Sequence, residues 1–223
     1  MLSLSLAAKH LTAPAVPASV RIAGVEVTLN RSIERLALFG CLLAAFGEIH
    51  PFCDHWAQGS TTAKCKRLYG THRVYRDGVA VGEETTDRSG EPTTTASSRG
   101  RRAVALHVAT YSAIQSGAAV ALTRSFGYRV PARALLAGAA INAGTHAVID
   151  RGALFLWLAD QTGQRGYIEH CQAVRLDKDG KPQAEITGPG TAWIELDAAL
   201  HRIIGVGAAA VITWLATRKR GRR

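Results

Sequence analysis

Cysteine, acidic side chains and the familiar catalytic signatures are what this sequence has least of. Four scattered cysteines are too few for a disulfide scaffold, and a hydrophobic share of 47% is too high for an intrinsically disordered chain. No P-loop, GxGxxG, GxSxG or HExxH pattern occurs. Residues 1–30 hold Lys9 and two prolines, with no apolar region leading to a small-residue cleavage site, so membrane insertion is expected to rely on uncleaved helices. Acids number 17 against 27 Lys and Arg, a net charge of +10 that admits nucleic acid, an anionic lipid surface or membrane topology as its explanation.

What is present is apolar sequence in four blocks, near Leu36 to Gly47, Ala103 to Thr123, Ala134 to Ile149 and Ile203 to Thr217. The second carries no Asp, Glu, Lys or Arg and is long enough to cross a bilayer core of roughly 30 Å at about 1.5 Å per residue. The third is rich in Ala and Gly, which suits close helix contact in lipid, and is expected to run past Asp150 and Arg151 into Ala153 to Leu158 as one long helix. The reading is an all-α fold, a four-helix antiparallel transmembrane bundle with small β-hairpin insertions in its N-terminal and loop segments. A soluble helical bundle is the alternative. Residues 1–31 form an N-terminal hairpin extension, 32–217 the membrane domain with polar insertions at 70–100 and 160–192, and 218–223 a basic tail.

Three hairpins are expected: Val20 to Val27 around Ala23-Gly24, Val74 to Val81 around Asp77-Gly78, and Val174 to Ile186 through Asp179-Gly180. Glu83 to Gly100, rich in Thr, Ser, Gly and Pro, reads as a loop. In an up-down bundle the short link with Arg124, Arg129 and Arg133 lies on the side of both termini, together with the tail from Arg218 to Arg223. Basic residues in short loops set orientation, so the protein is expected in the cell membrane, multi-pass, with both termini cytoplasmic. The lipid bilayer is then its partner, and no nucleic-acid partner is expected.

One spacing recurs in the apolar blocks: His50 with Asp54, His146 with Asp150, and, reversed, Asp197 with His201. Residues four apart share a helix face, so each pair sets an imidazole beside a carboxylate. His107 lies near the start of the second block, and an antiparallel arrangement brings all four histidines to one end of the bundle. Imidazole and carboxylate suit a divalent Zn, Fe or Mn ion, and bundle interiors house such sites. Four histidines and three aspartates exceed one tetrahedral ion's needs, so either two ions bind or some residues orient the others. An ion with an open position can deliver hydroxide to an ester or phosphoester, with Asp54 as base, Gln58 holding substrate or water, and Tyr111, one turn beyond His107, reaching the cluster. A metal-free polar network or a proton relay is the competing reading. His10, His72 and His170 fall in loops. Cys41 reads as core, Cys53 and Cys65 as weak ligand candidates, and whether Cys65 pairs with Cys171 stays open.

The blocks His50-Pro-Phe-Cys-Asp-His-Trp-Ala-Gln58, His107-Val-Ala-Thr-Tyr111, Thr145-His-Ala-Val-Ile-Asp-Arg151 and Leu196-Asp-Ala-Ala-Leu-His201 resemble, in order, those of a domain-of-unknown-function family of small integral membrane proteins in actinobacteria and their phages. The first block is the most specific. The resemblance spans roughly residues 45 to 215 and implies a multi-helix membrane protein with a His/Asp set and no established activity. Some members carry a transcriptional-regulator label, but no helix-turn-helix pattern is present here. The N-terminal hairpin and the loop from His72 to Gly100 depart from the family's short form. The functional expectation is an intramembrane or interfacial metal site, serving as a metal-dependent hydrolase of a lipid-like or phosphoester substrate. The alternatives are a non-enzymatic proton or ion relay, a phage factor acting on the host envelope, or a soluble DNA-binding regulator.

Overall fold

The computed structural model describes residues 19–22, 25–28, 31–177 and 179–218. Strands β1 (Ser19–Ile22) and β2 (Val25–Thr28) pair antiparallel as the first expected hairpin; its turn, Ala23-Gly24, lies outside the described residues, as do Lys9, His10 and the tail beyond Arg218. Helix α1 spans Arg31–Pro51 and continues as a π-helical turn, Phe52–Trp56, in which Ala57 N–H donates to the Phe52 carbonyl oxygen, five residues back. Pro51 has no N–H to offer the α ladder, and the chain accommodates the missing donor by widening its register. Helix α2 (Ser60–Cys65) follows, then β3 (Arg73–Val74) paired with β4 (Thr94–Thr95).

Helix α3 runs Ala96–Ser125. It starts within the stretch expected as loop, because the Thr95 hydroxyl accepts from Ser98 N–H and satisfies one of the free donors of the first turn. Helix α4 (Ala132–Asp150) does not continue into the next apolar run, contrary to expectation. Gly152 sits at φ 85°, a left-handed conformation open to glycine, and redirects the chain into a separate helix, α5 (Ala153–Gln161). Helix α6 (Arg165–His170), the hairpin β5 (Ala173–Leu176) and β6 (Pro182–Glu185), and helix α7 (Ala192–Thr217) complete the chain. The β5/β6 hairpin is as expected. Around Asp77-Gly78 there is a tight turn closed by Tyr75 N–H to Val79 O, but the longer partner of Val74 is Thr94. Cys65 and Cys171 are both free thiols.

The four long helices form a closed ring of neighbours: α1 packs on α3 and α7, and α4 on the same two. Small residues line the contact. Ala119, Ala134, Ala208 and Ala209 are fully buried together with Leu38, Leu42, Phe46 and Ile212. At Gly138 a Cβ atom would collide with the Ile212 side chain, so the glycine lets α4 and α7 pack closely there. At the chain-terminal end, Arg35 Nε donates to Thr217 Oγ1 (3.1 Å) and Tyr128 O–H to Glu34 Oε1 (3.1 Å), tying the start of α1 to the end of α7 and to the α3–α4 link. The helices therefore alternate in direction.

Two of the four, Arg31–Trp56 and Ala192–Thr217, are long and apolar enough to cross a membrane, each with a mean hydropathy of 1.6. Helices α3 and α4 do not join them on that measure, which departs from the expectation of four. The reason lies in what they carry inward: His107, Tyr111 and Gln115 on α3 and Asn142, His146 and Asp150 on α4 are buried polar residues that lower the average. A second core of Ile149, Phe155, Ala159, Ile168 and Trp193 joins α5 and α6 to the beginning of α7 and roofs the polar end of the bundle.

Candidate metal centre

All seven expected ligands lie at one end of the bundle, as the alternation of helix directions requires. His50 closes α1 and Asp54 sits in the π-helical turn beyond it, with His50 Nε2 3.3 Å from Asp54 Oδ2. His107, one face of α3, places its Nε2 3.3 Å from Asp54 Oδ1. Across from it, His146 Nε2 approaches His107 Nε2 to 3.0 Å, and Asp150 Oδ2 lies 3.4 Å from His107 Nε2 and 3.3 Å from His146 Nε2. Three donor atoms, from the π-helical turn and from α4, thus crowd around His107 Nε2. Tetrahedral donors held about 2.0–2.1 Å from a zinc-like ion stand about 3.3 Å from one another. The three distances from His107 Nε2 and the one between His146 and Asp150, 3.0 to 3.4 Å, match that spacing, while Asp54 and Asp150 share no group of donors within 4.8 Å.

His201 completes the cluster from α7. Its Nδ1–H donates to the Asp197 carbonyl oxygen (2.8 Å), and a carbonyl oxygen only accepts, so the proton is on Nδ1 and the lone pair on Nε2. That Nε2 is buried and has no hydrogen-bond partner among the described residues. The His146 ring lies 4.0 Å from the His201 ring, and that of His50 5.4 Å. Donor atoms of His50, Asp54 and His201, of Asp54, His107 and His146, and of His146, Asp150 and His201 each lie within 4.8 Å of one another. Asp197 belongs to none of these groups. Its Oδ2 is 3.7 Å from His201 Nδ1, behind the ring, where it orients the imidazole.

Tyr111 also stands behind a histidine: its hydroxyl is 2.8 Å from His50 Nδ1 and accepts from Gln115 Nε2 at 3.0 Å. Gln115 in turn accepts from Asn142 Nδ2, so a polar chain leads from His50 into the bundle and ends at the apolar layer of Ala119, Ala208 and Ile212. Gln58 follows the π-helical turn, and its Nε2 is buried with no hydrogen-bond partner among the described residues. Of the ligand set Asp54 alone is not fully buried, at 15% side-chain exposure, which marks the side from which the site is reached.

Three participants were not anticipated from sequence. Lys66 is buried and donates to Asp150 Oδ1 at 3.0 Å, occupying the oxygen that faces away from the imidazoles. Arg67 lies with its guanidinium 4.6 Å over Trp193. Arg151 donates to the Lys66 carbonyl oxygen at 3.0 Å and stacks 3.7 Å over Tyr69, fastening the segment that carries Lys66. A Cβ at Gly100 would collide with that guanidinium. Lys66 and Arg67 follow the short helix α2 directly, with no sequence period to betray the buried member. Gln115 and Asn142 did carry a signal, since each lies four residues from a cluster residue on its own helix.

Comparison with family models, with curated proteins and with solved structures gave no match to this chain.

Proposed function

We propose that this chain is an integral membrane protein whose four long helices hold a divalent cation near one membrane face, and that the ion serves hydrolysis of a lipid-like or phosphoester substrate. The observation that carries the reading is the set of three-donor groups at the site end, above all Asp54, His107 and His146, whose donor atoms lie within 4.8 Å of one another as those of an open metal site do. Asp54, Asp150 and Asp197 stand against Lys66 and Arg67, so carboxylates outnumber the basic side chains beside them and a cation neutralises the excess. Membrane residence for all four helices is supported by large apolar side chains turned outward on each: Leu36, Leu106, Leu136 and Ile203 are all exposed by 61% or more. Trp56 and Trp157 near the site end, and Phe126 and Trp214 at the opposite end, are exposed as interfacial aromatics are. The basic α3–α4 link then lies in the cytoplasm and the metal site toward the other leaflet.

Zn, Fe and Mn all suit the donor set. Bound, the ion lowers the pKa of a water and polarises the substrate oxygen. Asp54, the ligand nearest the opening, takes the proton from the attacking water; the water's oxygen bonds to phosphorus or to the carbonyl carbon, and the bond to the alcohol breaks, the alcohol oxygen receiving that proton. Gln58 is placed to donate to substrate. Tyr111 acts through His50 as a positioning residue. The relay alternative has less support, because the polar chain from His50 stops at an apolar layer rather than crossing the bundle. Membership of the actinobacterial and phage family belongs to the same proposal and rests on the four blocks. Elemental analysis of the detergent-purified chain tests the reading: stoichiometric metal, lost in His146→Ala, supports it, and a folded wild-type protein that binds none refutes it.

A further inference from the structure

From the two faces of the Asp54 carboxylate we propose that the centre takes two divalent ions with Asp54 as the bridge, and that its substrate is a phosphoester rather than a neutral ester. This rests on the metal reading above and changes one role in it: with both oxygens given to ions, Asp54 would no longer act as base, and the attacking water would lose its proton to solvent through the ions' effect on its pKa. Asp54 Oδ1 faces His107 Nε2 and Oδ2 faces His50 Nε2, both at 3.3 Å, so one carboxylate addresses two separate nitrogens. On the Oδ1 side stand His107 and His146, whose donor atoms lie with that of Asp54 within 4.8 Å of one another; Asp150 Oδ2 approaches the same two imidazoles from the far side. On the Oδ2 side stand His50 and His201, whose donor atoms lie with that of Asp54 within 4.8 Å of one another. His201 supplies the decisive atom: its Nε2 lone pair is fixed by the Asp197 carbonyl, buried and otherwise unpartnered, and it belongs to the second group. His50 joins it with Nε2 turned to Asp54 Oδ2 and Nδ1 2.8 Å from the Tyr111 hydroxyl.

Asp150 does not compete for the bridging role, because Lys66 engages its Oδ1 and leaves Oδ2 alone for a metal. The lysine makes one carboxylate terminal and leaves the other to bridge. Carboxylate-bridged ions stand about 3.5–4 Å apart, a separation at which both the attacking and the leaving oxygens of a phosphoryl group are stabilised. Two divalent ions together with Lys66 and Arg67 would outweigh the three aspartates, so the loaded centre would be cationic. An anionic phosphoryl group complements it, whereas a neutral carboxylic ester does not.

The test loads the full-length detergent-purified chain with Mn(II) and counts ions by elemental analysis while paramagnetic resonance reads their coupling. Two ions per chain with an exchange-coupled spectrum are expected. His201→Ala is expected to retain one uncoupled ion, and Asp54→Asn to abolish the coupling. Inorganic phosphate is expected to alter the coupled spectrum of the wild type and to leave that of His201→Ala unchanged. A single uncoupled ion in wild-type protein overturns the two-ion inference while leaving the metal reading intact; no bound ion at all overturns the metal reading itself. Since the wild-type spectrum alone decides between one ion and two, a variant that fails to fold does not rescue the inference. Two coupled ions indifferent to phosphate overturn the substrate assignment.

Discussion

The two halves of the bundle are made from the same four helices and use them in opposite ways. Toward the chain-terminal end the inward residues are Ala119, Ala134, Gly138, Ala208 and Ala209, which let backbones touch. Toward the other end the same helix faces carry His107, Asn142, His146 and His201. Stripes at a spacing of four run through both: His107, Tyr111, Gln115, Ala119 and Thr123 on α3, and Asp197, His201, Gly205, Ala209 and Thr213 on α7 are buried throughout. The difference teaches that the apolar half is the jig for the polar one. Ligand atoms that must meet at 3.0 to 3.4 Å are set by helix spacings fixed a few turns away, where no chemistry takes place.

The comparison is broken most severely by removing a charge from the polar half. Asp150→Ala strands the buried Lys66 ammonium, and loss of one partner of a buried pair costs about 3–5 kcal/mol; thermal unfolding followed by circular dichroism should show it, with Lys66→Met on the same background recovering much of the loss. Next comes the jig itself. Gly138→Ala forces a methyl into Ile212 at a cost of about 1–3 kcal/mol, and Ile212→Val should relieve it in part. If metal affinity in Gly138→Ala equals that of wild type, the apolar half does not set the site. Tyr111→Phe removes the hydroxyl that holds His50 Nδ1, and metal affinity should fall about 10–100-fold in a competition titration, with little change in secondary structure. The smallest effect is outside both halves, where Arg88 binds Glu91 and Asp77 in the loop before α3. Hydrogen bonds from Arg88 hold the Glu91 carboxyl below its ordinary value, so the loop's ordering is present above the usual glutamate range and fades as pH falls through the lowered value. Amide exchange in residues 82–92 should quicken at acid pH, and in Arg88→Ala at neutral pH, with metal content unchanged.

Much of the site was legible in sequence because its members are periodic. His50 with Asp54, His146 with Asp150 and Asp197 with His201 each sit one helical turn apart, and four apolar blocks in alternation placed them at one end. What periodicity cannot carry was missed. Lys66 reaches Asp150 from a connecting segment, across 84 residues of chain, and its burial depends on a fold that no local pattern encodes. The division of labour within the set was equally hidden: Asp197 and Tyr111 shared the spacing of ligands, yet each stands behind an imidazole rather than beside the others. The break between α4 and α5 turned on one residue, Gly152, whose left-handed backbone overrides the apolar continuity on either side. Four apolar blocks also suggested four spans, the second the clearest, and α3 and α4 fall short because the buried polar residues they carry lower their hydropathy.

Arg151 gives the cluster a closed side and an open one. By gripping the Lys66 carbonyl across the space that Gly100 leaves free, it rivets the connecting segment down over Asp150, so that flank has no door. The remaining threshold is Asp54, set on a widened turn between Phe52 and Trp56, whose rings point outward. On the membrane reading proposed above, a molecule reaching the site would pass those aromatics sideways, from among the lipid tails and headgroups, and an amphiphile already lying in the leaflet would be the cargo for which such a doorway is shaped.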